Sequence, residues 1–161
     1  MGIHALDLAP VSDGPYGEKP PLPPLVVGFD GSPASKAAFE YACKRSGSRG
    51  RVIAVFVDGA GPSWFGAPSY QHEDGSRPFA DSLLAELATH APRHVKLERS
   101  VVEGSTPSAL LDAARQHGAV EIVVGMHGSD PSKAGLGHVP KALIETSDRP
   151  VVVVPPEESR A

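Results

Sequence analysis

Short, unbroken apolar runs alternate along this chain with stripes of helical period, and this alternation limits the fold to one class. The strands predicted on these runs are Leu25 to Asp30, Val52 to Val57, Val120 to Gly125 and Val151 to Val154. A strand with one wet face alternates polar and apolar residues, so runs without alternation belong to strands buried on both faces. Between them lie helical stripes: Ala34, Ala37, Ala38, Tyr41 and Ala42; Ala80, Leu83, Leu84, Leu87 and Ala88; Pro107, Leu110, Leu111 and Ala114; Val139, Leu143 and Ile144. Ser32-Pro33 and Ser105-Thr106-Pro107 supply caps and first-turn prolines, while Gly47, Gly50 and Gly118 end helices. A further strand is predicted from Val95 to Val102, and its alternation at Val95, Leu97 and Arg99 suggests an outer position. Strands alternating with helices imply right-handed crossovers and a parallel sheet covered on both faces.

The 161 residues suit one domain, with 40% hydrophobic and 21% charged residues. Residues 1–22 are rich in Pro, Gly and Asp and read as a disordered arm. The domain spans 23–156, and 157–161 form a tail. The loop 59–76 carries Trp64, Phe65 and Tyr70, and reads equally as a lid, a partner surface or a mobile connection folding back on its own domain. A formal net charge of −4 argues against nucleic-acid binding, which needs clustered Lys and Arg. The single cysteine, Cys43, excludes an internal disulfide and reads as a small core residue. No apolar run spans a membrane, no signal peptide is recognisable, and Leu6 occupies the place where N-myristoylation wants Ser or Thr. A cytoplasmic location is expected.

Ligands of open parallel sheets bind beyond the carboxyl ends of the strands, where the winding direction reverses. Asp30 ends the first strand, Gly125-Met126-His127-Gly128 ends the fourth, and Gly137-His138-Val139 opens the helix that follows. Glycines allow close backbone approach, and helix N-termini attract phosphate. A strand-end carboxylate can accept from an adenine amino group or a ribose hydroxyl. The residues alone leave two readings open, a nucleotide cradle and glycines that serve only the turns. Other signals fail. Gly135-Leu136-Gly137-His138-Val139-Pro140 lacks the third glycine of a dinucleotide fingerprint, and no P-loop sequence occurs. Pro92 disrupts the metal-like spacing of His90 and His94. His127, His138 and Asp130 make a thin metal set, and no serine lies in a nucleophile elbow.

Val26-Val27-Gly28-Phe29-Asp30-Gly31-Ser32-Pro33-Ala34-Ser35, Glu121 to Gly128, Gly137-His138-Val139 and Arg149-Pro150 with Val151–Val154 together resemble the universal stress protein family. The resemblance covers residues 25–155 and implies a Rossmann-like α/β fold. Its five-stranded parallel sheet would have the strand order 3-2-1-4-5 and helices on both faces. It implies a stress-response or signalling protein that binds an adenine nucleotide: ATP, with Mg²⁺ accompanying it, or AMP or cyclic AMP. In the ATP-binding branch the motif is G-x2-G-x9-G-[ST]. Carried over, Gly28, Phe29, Asp30 and Val57 would lie near the base, Gly125, Met126, His127 and Gly128 near ribose and phosphate, and Gly137, His138 and Val139 at the phosphates. Here eight residues, not nine, separate Gly128 from Gly137, and His138 replaces the hydroxyl residue. Imidazole can still donate an N–H. The shorter loop and bulkier side chain point toward a smaller ligand than ATP. The alternative function is a dimeric interaction module of the same family without a nucleotide. No acid–base pair or nucleophile suggests an enzyme, slow ATP hydrolysis apart. The family's pairing across a dimer axis implies a homodimer through Val151–Val154, an edge strand that would otherwise invite aggregation.

Overall fold

The computed structural model describes residues 20–58, 77–128 and 135–157. Among these residues nine elements follow one another: β1 (Leu25–Gly28), α1 (Pro33–Ser46), β2 (Arg51–Asp58), α2 (Arg77–His90), β3 (Lys96–Glu103), α3 (Thr106–His117), β4 (Glu121–Gly125), α4 (His138–Thr146) and β5 (Val151–Val154). Among the described residues the five strands form one parallel sheet in the order β3-β2-β1-β4-β5, a Rossmann-like arrangement. The parallel register explains the all-apolar runs, because crossover helices cover both faces of the inner strands.

Alternate residues of β1 and β2 serve two separate cores. Leu25, Val27, Val52 and Ala54 face α1 and α2, where they meet Ala38, Ala42, Leu84 and Leu87. Val26, Ile53 and Val55 face α3 and α4, where they meet Leu110, Ala114 and Leu143. Ile53, Leu110, Ile122 and Leu143 are fully buried and anchor the second core. Burying such side chains contributes roughly 1.5–3 kcal/mol each, the principal reason the sheet forms. β3 is an outer strand, as its alternation suggested. Its partly buried Leu97 and Val101 pack into the first core, while Lys96, Arg99 and Glu103 are exposed.

Element boundaries differ from the sequence expectation by one or two residues in several places, β1 ending at Gly28 rather than Asp30. Val95 donates its N–H to the Pro92 carbonyl at 2.9 Å, so a turn holds it and β3 begins at Lys96. The Val120 amide bonds to the Pro24 carbonyl at 3.1 Å outside the ladder, and β4 begins at Glu121. One inward assignment is corrected. Ile144 is 54% exposed, because Pro140 and Leu143 form the buried stripe of the short α4. The Leu22 amide bonds to the Arg49 carbonyl at 3.0 Å, which anchors the entry to β1. Trp64, Phe65, Tyr70, Asp130 and most of the N-terminal arm lie outside the described residues.

Candidate functional site

The turn after β1 and the first turn of α1 form a closed hydrogen-bond network. The Asp30 carboxylate Oδ1 accepts from the Ser32 amide at 2.9 Å, and Ser32 Oγ accepts from the Ser35 amide at 3.2 Å. The Ser35 hydroxyl donates to the Ser32 carbonyl at 3.0 Å and accepts from the Asp30 amide at 3.4 Å. Pro33 has no N–H to offer. The start of a helix normally leaves four amides without partners. Here Ser32, Ser35 and Pro33 account for all but Ala34, so α1 satisfies its own N-terminus and offers little to an anion.

α4 begins differently. Its cap residue is Gly137, which has no side chain to close the first turn. The Gly137 amide is instead held by the Met126 carbonyl at 2.8 Å, and the Lys141 amide returns to the Gly137 carbonyl at 3.2 Å. This clamp fastens the helix start to the end of β4. A β-carbon at 137 would lie 3.2 Å from His127 Cα and 3.3 Å from the Met126 oxygen, so the glycine lets the two segments touch. The Met126 amide bonds in turn to the Val154 carbonyl at 2.8 Å, tying the same segment to β5.

Gly125 serves a third close approach. A β-carbon there would meet the Ala34 carbonyl carbon at 2.7 Å and the Ser35 nitrogen at 2.9 Å. The end of β4 therefore lies directly against the capped start of α1. Through these contacts the structure brings the turn after β1, the end of β4 and the start of α4 together at the carboxyl edge of the sheet.

The expected residues fall into distinct positions around this junction. Gly28 pairs with Val55, and the Phe29 amide bonds to the Val55 carbonyl at 2.9 Å. The Phe29 ring is buried and stacks edge-on against Phe39 at 6.3 Å, so Phe29 meets the junction only through its backbone. Asp30 is half-buried at the rim. Val57 sits one strand away, in register with Val102 and packed against the second core. His127 is half-buried, with Nδ1 3.3 Å from the Gly128 carbonyl oxygen, while His138 is exposed on the first turn of α4. Val139 packs into the second core. The amides of Met126 and Gly137 are already engaged by protein, at the carbonyls of Val154 and Met126.

Asp30 presents a half-buried carboxylate at the rim, Val57 an apolar side chain one strand over, and α4 a first turn with no side-chain cap. Among the described residues no group of three or more His, Cys, Asp or Glu could hold a metal ion. Two hollows open elsewhere. One of about 360 Å³ lies between α2 and β3, lined by Asp81, Leu84, Arg99 and Val101. One of about 250 Å³ lies between α1 and the segment after β5. Neither is lined by an expected site residue, and the strand-end geometry locates the site better than hollow size does.

Sequence reading missed the Ser32–Ser35 network as a competitor for anions. The signal was present, since Asp-x-Ser followed by Ser three residues on is an Asx turn leading into a capped helix. It also missed the contact between Gly125 and Ala34, for which no local signal exists.

The comparisons with known proteins agree with this architecture. Residues 23–155 match the model of the universal stress protein family. A universal stress protein of Mycolicibacterium smegmatis is 34% identical over 145 residues, covering 83% of this chain and 46% of that protein. The chain thus spans about half the length of the curated relatives it matches. The universal stress protein of Archaeoglobus fulgidus superposes with a TM-score of 0.65 at 20% identity, covering 83% of this chain and 98% of that one. A universal stress protein solved in complex with cAMP superposes with a TM-score of 0.61 at 26% identity, covering 82% and 96%. No described helix is long and apolar enough to cross a membrane. With the family model spanning nearly all of the described core, the chain belongs to the universal stress protein family.

Proposed function

We propose that the chain binds an adenine nucleotide at the junction of β1, β4 and α4, and acts by binding rather than by turnover. The observation that carries this reading is the contrast between two helix starts at one edge of the sheet. α1 closes its own first turn with Ser32, Ser35 and Asp30, whereas α4 begins on a glycine and receives no side-chain cap. A negative charge would be better stabilised at the second than at the first. The cAMP complex of a neighbour with the same fold supports an adenine ligand. Asp30, with Oδ1 held by the Ser32 amide, would orient the base or ribose, and the α4 turn would take the phosphate.

A thermal-shift series with ATP, ADP, AMP and cyclic AMP tests the reading, because a ligand that binds only the folded chain raises its melting temperature. Mass spectrometry of the freshly purified protein would identify any nucleotide it retains. Gly128→Val is expected to abolish binding by filling the space beside the phosphate. Unchanged affinity in a folded variant would count against the assignment.

A second reading has one observation in its favour. The Met126 and Gly137 amides, two members of the expected cradle, already bond to protein. A chain whose remaining donors are too few would act as an interaction module without nucleotide, and would show no shift with any of the four ligands. In either case a second copy is proposed to pair along β5. This short edge strand of four valines has half-buried side chains at Val151, Val152 and Val153.

A further inference from the structure

The chain enters β1 through Pro20-Pro21-Leu22-Pro23-Pro24, at the amino edge of the sheet and away from the junction of β4 and α4. We propose that this run is a docking segment for a partner protein whose groove is lined by aromatic rings and flanked by a carboxylate, a role independent of the nucleotide reading. Residues 20–23 are exposed, and Pro24 is half-buried. Two hydrogen bonds hold the run to the domain. The Leu22 amide donates to the Arg49 carbonyl at 3.0 Å, and the Pro24 carbonyl accepts from the Val120 amide at 3.1 Å. A proline fixes its own φ, and the residue before a proline is pushed out of the helical region. Each residue from Pro20 to Pro23 is a proline or precedes one, so the run keeps an extended, polyproline-like course. It is exposed and fastened at once. The freedom that a loose proline-rich peptide still loses on binding has here been lost in folding.

The hydrogen-bonding character of the run selects its partner. Prolines bring no N–H, and the one amide present, that of Leu22, is taken by Arg49. Among the described residues nothing donates to the carbonyls of Pro20, Pro21, Leu22 and Pro23. A row of open acceptors without a free donor cannot take on an added β-strand, whose ladder needs both. It suits a partner that brings donors, such as the indole N–H of Trp and the phenol O–H of Tyr. The same rings offer flat apolar surface to the prolines and to the exposed Leu22. In a polyproline helix, residues about three apart share a face, so Pro20 and Pro23 form one ridge and Pro21 and Pro24 the next. Aromatic grooves receive proline segments of this P-x-x-P spacing. Charge adds the last requirement. Arg49, whose carbonyl holds Leu22, is exposed and makes no ion pair among the described residues, so a carboxylate beside the groove would complement it.

The probes are isotope-labelled WW and SH3 modules that carry an acidic residue beside the aromatic groove, titrated with the full chain and followed by NMR. The groove Trp indole N–H of at least one module is expected to shift and to saturate as the chain is added. If neither module responds, the proposal falls. Pro20→Ala combined with Pro23→Ala removes one ridge at exposed positions, and should weaken binding by about tenfold or more with the melting temperature unchanged. Should the pair destabilise the chain, Pro20→Ala alone, outside both anchoring bonds, is still expected to weaken binding severalfold. Affinity that survives these substitutions in a folded chain places the contact elsewhere and overturns the proposal. Arg49→Glu should weaken binding severalfold and flatten its salt dependence, and an unchanged affinity would overturn the acidic flank assigned to the partner. Saturation with a nucleotide at the opposite edge is expected to leave the module's affinity as it was.

Discussion

A methyl group at position 125 would overlap the backbone of Ala34 and Ser35, and backbone cannot swing aside as a side chain can. Gly125→Ala is therefore expected to lower the unfolding free energy by about 1–3 kcal/mol, the usual cost of overpacking, as a urea titration would measure. The loss should appear without any ligand present, which separates packing from binding. Cys43 offers a second test at this scale. Burial, with the nearby Glu40 carboxylate adding to it, pushes its thiol up to about 11. The thiolate that reacts is thus scarce at neutral pH. A thiol reagent such as Ellman's is expected to leave the native chain unlabelled and to label one site once the chain is unfolded; rapid labelling of the native chain would contradict the buried placement.

The elements were legible in the sequence to unequal degrees, and the reasons are physical. β1, β2 and β4 were readable because burial on both faces leaves few polar positions in a short run, and β5 because its four valines run unbroken, although at the sheet edge the first three stay half-buried. α1 announced its start by Ser32-Pro33, and the structure shows Ser32 Oγ accepting from Ser35. Ile144 misled because a helix as short as α4 needs only a narrow stripe, and Pro140 with Leu143 fills it. The amides of Met126 and Gly137 could not be assigned from sequence at all. Their partners, Val154 and Met126, depend on how β4, α4 and β5 converge. The connection into β5 was readable as Arg149-Pro150, but its fastening was not. The Arg149 guanidinium donates to the Ala119 carbonyl at 2.7 Å and to Asp148 at 2.8 Å, and Arg115 of α3 reaches the same carboxylate at 3.2 Å. Hydrogen bonds from Arg149, joined by those from Arg115, hold the Asp148 carboxyl well below the usual carboxylate range. Because the folded chain binds that proton less readily than the unfolded one, the contribution is fully present above the ordinary carboxylate range. It is lost progressively as pH falls below that range toward the folded value. Asp148→Asn should accordingly be less stable than wild type near pH 6, with the difference shrinking as acid is added. A gap between the two denaturation midpoints that stays constant down to pH 2.5 would refute this role.

At the scale of the whole molecule, the described residues of the proposed ligand site lie at the carboxyl edge of the sheet, and the ion pairs of Arg149 and Arg115 fasten the opposite edge. A site built this way can vary its loops without disturbing the packing of either core. The proposed pairing along β5 belongs to this scale too. Val152→Lys, placing a charge on a half-buried side chain of the edge strand that packs against the first core, is expected to convert a dimer to a monomer in light scattering while the circular dichroism spectrum stays native. A wild-type chain that is already monomeric would remove the proposal. The strand order has a consequence of its own during synthesis. β1 lies at the centre of the sheet, yet its neighbour β4, which pairs Leu25 with Glu121, leaves the ribosome only after about a hundred further residues. Until then one long side of the central strand stands open in the nascent chain, a slow and sticky interval in which a chaperone would find its grip.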